Sequence, residues 1–173
     1  MTPARAILLS GLVVAVLDGL DAVVATWWFG GSPARMFQSI AGGILGREAA
    51  LAGGVPTALL GVACHAFIAT AVSAVYVGAS RRISLLVEYP LACGALFGVA
   101  VWAVMRWGVV PLSARGPMPP LTTFSLVNGV LAHVLLVGIP AALIARRAGA
   151  APARHPGVRL EVRGGAASPP PGG

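Results

Sequence analysis

Four long apolar runs organise the chain, separated by stretches rich in arginine, glycine and proline. They lie at 6–29, 56–78, 90–110 and 123–145, each long enough to cross a hydrocarbon core of roughly 30 Å. Pro56 and Pro90 stand at helix starts, where a missing N–H does no harm. Pro111 follows the third run, and Pro140 lies inside the fourth. Pro140 is expected to kink that helix, because it removes one backbone hydrogen bond. Segment 30–55 is too long for a tight turn. It predicts a short helix with Ser32 as N-cap, Pro33 at the first helical position, and Met36, Phe37, Ile40 and Ile44 on one side. That helix either lies flat at the outer interface or forms a lid over the bundle. The second outer loop, 111–121, carries three further prolines and is predicted to be extended.

The pattern predicts an all-α polytopic membrane protein: a four-helix transmembrane bundle over 1–147 with a short outer interfacial helix. Residues 148–173 are mainly Gly, Ala, Pro and Arg with almost nothing to bury, and predict a disordered cytoplasmic tail. The first run is expected to be retained rather than cleaved as a signal peptide. Asp18 and Asp21 interrupt it, and Trp27, Trp28 and Phe29 stand where small residues would mark a cleavage site.

Composition agrees. The chain is 57% apolar and only 10% charged, whereas a soluble domain carries about a quarter of its residues charged. All of the positive charge is arginine. The arginines sit at helix ends, in loops and in the tail, with no interleaved aromatics, which argues against nucleic acid as a partner. With four spans both termini share a side. That side holds Arg5, Arg81, Arg82, Arg146, Arg147, Arg154, Arg159 and Arg163, against Arg35, Arg47 and Arg115 on the other. The bias puts the termini in the cytoplasm and the tail against anionic lipid. Trp27, Trp28 and Trp107 then belong to an outer aromatic belt, and Tyr76 marks the inner face. Cys64 and Cys93 fall at different depths, about 15 Å apart at the helical rise, too far for a disulfide.

Six aspartate, histidine, arginine or asparagine side chains lie within the spans. Asp18, His65 and His133 fall close to their helix midpoints; Asp21, Arg106 and Asn128 sit further toward the outer face. They share stripes with small residues, such as Gly11, Ala15 and Asp18, or Gly94, Gly98, Trp102 and Arg106. Small residues let membrane helices pack closely, so the polar groups are expected to converge inside the bundle. Two aspartates near the centre of the first helix cost about 5–7 kcal/mol, roughly what its apolar residues return. They need a partner. Arg106 is the only cation at a suitable depth, so Asp21 is expected to pair with it. His65 and His133 leave three readings open: interhelical hydrogen bonds, a proton relay with Asp18, or a haem held between the second and fourth helices, with Gly61 and Gly129 leaving room for the macrocycle. No nucleophile with a base, phosphate loop or metal-protease helix is present, so neither an enzyme nor a metal or cofactor site is expected. Gly61-Val62-Ala63-Cys64-His65 echoes Gly129-Val130-Leu131-Ala132-His133, a weak sign of two parallel repeats.

The stretch from His65 through Tyr76, Arg81-Arg82, Pro90-Leu91, Cys93-Gly94, Phe97-Gly98, Val110-Pro111-Leu112 and Pro119-Pro120 to His133 resembles the YagU-type bacterial inner-membrane proteins, over roughly half the chain. The resemblance implies a bacterial inner-membrane location and no settled activity. The expectation is a small inner-membrane protein with an intramembrane polar site that moves protons or a small solute. The rivals are a structural protein whose polar core fixes helix packing, and a haem-binding electron carrier. Lipid is the expected partner, a homo-oligomer stays open, and no substrate is indicated. Reporter fusions after residue 147 and within 80–89 should read cytoplasmic, and a fusion near residue 116 external. A tail that reads external would reverse this orientation.

Overall fold

A computed structural model describes residues 1–116 and 118–149. Most of the predicted tail therefore lies outside the described residues. Among those residues there is no strand. The helices are α1 (Pro3–Trp28), α2 (Pro33–Leu45), α3 (Arg47–Ala52), α4 (Gly54–Ser80), α5 (Leu85–Glu88), α6 (Pro90–Leu112) and α7 (Thr123–Gly149). α1, α4, α6 and α7 are long and apolar enough to cross a membrane, and each contains one of the four predicted runs almost entirely. The protein is an all-α, multi-pass membrane protein built on a four-helix bundle. Met1 and Gly149 share one face, called here the terminal face; α2 and α3 lie toward the opposite, far face.

Local chemistry sets the helix starts. Thr2 accepts a hydrogen bond from the Arg5 N–H at the head of α1, with Pro3 at its first position. Thr122 and Ser125 form a reciprocal capping box at the head of α7. Pro90 opens α6 as predicted.

Glycine sets the distances between helices. A methyl group at Gly98 would overlap the His133 carbonyl, and one at Gly94 would crowd the Gly138 carbonyl and the Ile139 backbone. Gly138 faces the same contact from α7. Gly94 and Gly98 are four residues apart, the spacing that lets two membrane helices meet backbone to backbone. Between α1 and α4, Gly11 lies against Thr70, and next to it the fully buried hydroxyls of Ser10 and Ser73 bond at 2.9 Å. The terminal end is closed by Ala6, Tyr76, Val77, Ala141, Ala142 and Ala145. Tyr76 is buried there, with its hydroxyl donating to the Leu86 carbonyl at 3.1 Å and its ring edge-on to Phe97. Cys64 and Cys93 are free thiols, as their depths predict.

Both late prolines are absorbed by widened turns. α6 is π-helical over Met105–Val109 and α7 over His133–Gly138. Each segment ends two residues before a proline, Pro111 or Pro140. The N–H of the residue preceding each proline reaches back five positions, Val110 to Met105 and Ile139 to Val134. A proline ring clashes with the carbonyl four residues earlier, and a π turn opens the helix at that carbonyl. Pro111 therefore does not end α6, which runs on to Leu112. The extended stretch predicted from residue 111 begins only after that helix and its following turn.

Ser32 and Pro33 hold their predicted positions at the head of α2, although the Ser32 side chain makes no capping bond. The helix packs against α4. A methyl at Gly61 would strike the Phe37 carbonyl, and Ile40 and Ile44 share a pocket with Cys64, Phe67 and Ile68. Ile68 lies roughly 20 Å along α4 from its first residue at the helical rise. The buried residues of α2 are Gln38, Ala41 and Gly42, while Ile44 is exposed. α2 thus inserts its small face beside α4, and a bond from the Ala114 N–H to the Gly43 carbonyl (3.0 Å) ties it to the far end of α6. Gly46, at φ 80°, makes the one-residue turn into α3, a conformation that favours glycine.

Gly98→Ala should lower the melting temperature, since overpacking typically costs about 1–3 kcal/mol. Gly78, whose added methyl meets nothing within 4 Å, is the control: Gly78→Ala should gain up to about 1 kcal/mol from helix propensity. Equal effects in thermal melts of the purified protein would refute the α6–α7 backbone contact.

Candidate intramembrane site

A cavity of about 180 Å³ opens between α1, α2, α4, α6 and α7. Its walls are mostly aliphatic: Val14, Ile40, Ile68, Val72, Val101 and Val137. The polar exceptions fall at two ends. Asp18, His65 and His133 line the part within the spans, and Ser39, Ser113 and Arg115 line the part toward the far face.

The three midplane residues predicted to converge therefore do share one space. His65 comes from α4, held above Gly19 of α1, whose added methyl would lie 3.3 Å from its Nε2. That nitrogen donates to the Ala15 carbonyl at 3.0 Å, which leaves Nδ1 as an acceptor in the neutral ring. Asp18 Oδ2 stands 4.0 Å from the same nitrogen, too far for a direct hydrogen bond. Asp18 and His65 side chains are 21% and 16% accessible, so both reach the cavity from otherwise packed helices. His133 opens the π segment of α7, and its Nδ1 donates to the Gly129 carbonyl at 2.9 Å. In the neutral ring that leaves Nε2 as an acceptor. One carboxylate and two imidazoles thus border a space able to hold several waters.

The other three predicted residues do not join them. Asp21 does not pair with Arg106; its Oδ2 accepts from Asn128 Nδ2 at 3.0 Å, joining α1 to α7. Arg106 donates instead to the Pro119 carbonyl at 2.7 Å. Its long side chain reaches toward the far end, where a loop carbonyl is available, as arginines near helix ends do. Matching depths identified Asp21, Asn128 and Arg106 as neighbours in height but not in azimuth, and Arg106 stands in the π segment, where the helical phase changes.

The histidines do not leave room for a haem between them. The space beside Gly61 is filled by the Phe37 backbone, and that beside Gly129 by the Trp102 indole. Among the described residues no group of three His, Cys, Asp or Glu side chains could hold a metal.

The residues that sequence reasoning missed are those at the mouth. Arg115 was counted for topology only, yet it roofs the cavity, half-buried. Its guanidinium pKa is lowered from the usual value by burial first, then by the charges of Arg47 and Arg106. The signal available was an arginine on the arginine-poor face. Gln38, buried and donating to the Gly54 carbonyl at 2.8 Å, was also missed. Comparison of the chain with models of known families, with curated proteins and with solved structures finds no match.

A double-mutant cycle on Asp21→Ala and Asn128→Ala should show coupling of about 0.6 kcal/mol, the average for interhelical hydrogen bonds in membranes. The corresponding cycle on Asp21 and Arg106 should be additive. Reversed results in melting of the detergent-solubilised protein would restore the ion pair.

Proposed function

We propose that this protein is a multi-pass component of the bacterial inner membrane, with both termini cytoplasmic, that carries a proton or small solute through the site formed by Asp18, His65 and His133. The arginine asymmetry supports the orientation, and the far face is then external. The observation that carries the functional reading is the cavity itself, which brings these three side chains into one space with Ser39, Ser113 and Arg115 toward the external end. Ionisable groups inside a span are costly and are kept where they face a polar path. Carboxylates and imidazoles inside spans are the groups from which proton relays are built, and here three of them share one space. α2 stands alongside that path as a wall, through Ser39, Ile40 and Gly43.

A packing role is the second reading. It is favoured by the local bonds of His65 to Ala15 and of His133 to Gly129, which give each ring a backbone partner. The two readings separate in liposomes holding the purified protein. Under the transport reading, wild-type proton flux exceeds that of empty liposomes between about pH 5 and 8, a range bracketing histidine titration. Asp18→Asn and His65→Gln then lose roughly tenfold or more of it, with melting shifted by no more than about 1 kcal/mol. Flux equal to that of empty liposomes, with stability lost in both variants, would leave packing as the role of these residues.

A further inference from the structure

Beside the mouth of the cavity lies a second, wider cleft of about 470 Å³. Arg35 at the head of α2, Arg47 at the head of α3 and Arg115 in the α6–α7 loop line it, with Ser39, Leu51, Met118 and Pro119. Ser39 and Arg115 also line the intramembrane cavity, so the two spaces adjoin. Arg106 does not line the cleft but bonds to the carbonyl of Pro119, one of its wall residues. Among the described residues no carboxylate lines the cleft. Glu48, next to Arg47 in sequence, makes no ion pair with any of these arginines among the described residues.

Bringing like charges together is unfavourable unless something balances them, and a cleft lined by one sign of charge concentrates ions of the other. Arg115 feels both effects: burial first, then the charges of Arg47 and Arg106, lower its guanidinium pKa from the usual value. The adjoining cavity adds a second requirement. Its aliphatic walls and volume of about 180 Å³ suit a compact apolar body, since an apolar cavity of about 150 Å³ takes up benzene.

We propose that the cleft between Arg35, Arg47 and Arg115 binds the carboxylate of a small amphiphilic anion, an aromatic or short branched-chain acid, whose apolar body enters the Val- and Ile-walled cavity toward His65. This names a substrate class for the transport reading above and rests on it for function, although binding can be tested alone. Guanidinium groups recognise a carboxylate by paired N–H donors, and the ring or branched chain replaces cavity water against Ile40, Ile68 and Val101. A carboxylate on this body, rather than a diacyl lipid, fits a space with room for only one small ring.

The test is equilibrium binding of radiolabelled benzoate to the full chain in nanodiscs of neutral phosphatidylcholine. Benzoate should bind at least about tenfold tighter than benzamide, which keeps the ring and loses the charge, and than acetate, which keeps the charge and loses the ring. Arg47→Gln with Arg115→Gln should weaken benzoate by about tenfold or more. Ile68→Trp should block benzoate by filling the cavity. An unchanged melting transition in each variant shows that the loss is local, and Arg47→Gln alone, at an exposed position, serves if the double variant does not fold. Equal binding of benzoate and benzamide would overturn the proposal. So would phosphatidylglycerol that co-purifies with wild type and not with the double variant while benzoate fails to bind, because the anion would then be a lipid headgroup. The wild type separates the two claims. Benzoate binding with no flux above that of empty liposomes would sink the transport reading alone, whereas flux without benzoate binding would sink this one.

Discussion

Lipid tails are as apolar as leucine, so no hydrophobic force drives one span of this protein onto another. Contact has to come from shape. Here it comes from glycine: with no side chain at Gly94, Gly98 and Gly138, α6 and α7 meet backbone to backbone. The His133 carbonyl lies in that contact, directly against Gly98. The imidazole on the same residue borders the cavity. A backbone-to-backbone helix approach and one wall of the site are therefore fixed by the same few atoms. The α1–α4 pair follows a similar rule, with Gly11 against Thr70 and a buried serine pair beside it.

The prolines belong to the same arrangement. A straight helix could carry neither Pro111 nor Pro140 without losing a hydrogen bond and striking a carbonyl. Two π segments resolve this, and they hold Arg106 and His133. A widened turn re-aims the side chains it contains relative to regular helical phase. Arg106 of α6 and His133 of α7 thus sit where the backbone is least regular, while Asp18 and His65 sit on unbroken helices, His65 bonding to Ala15 and facing Gly19.

Much of this was legible in the chain. Apolar run length located all four spans, because the bilayer imposes that length directly. Depth counted along the helices put Asp18, His65 and His133 at one level, and they do border one cavity. Depth says nothing about rotation around the bundle, so Asp21 was matched to Arg106 when its neighbour is Asn128. The π turns were not legible either, since a proline predicts disturbance without saying what form the repair takes. α2 was read by its large apolar residues, Met36, Phe37, Ile40 and Ile44, as an interfacial helix or a lid; its fully buried residues are Gln38, Ala41 and Gly42, while Ile40 lines the cavity and Ile44 is exposed.

The bond between Gly43 and Ala114 has a consequence for how the molecule is made. α2 is too short to span the bilayer, so the translocation machinery has no reason to release it sideways as a segment of its own. Its anchor residue on the α6 side is synthesised only after two further spans. α2 can pack beside α4 before then, but its tie to the far end of α6 has to form later, as a late step of biogenesis. The cavity it walls does not exist before that moment, so a nascent chain arrested short of residue 114 would hold Asp18 and His65 without the enclosure that distinguishes them from ordinary buried polar groups.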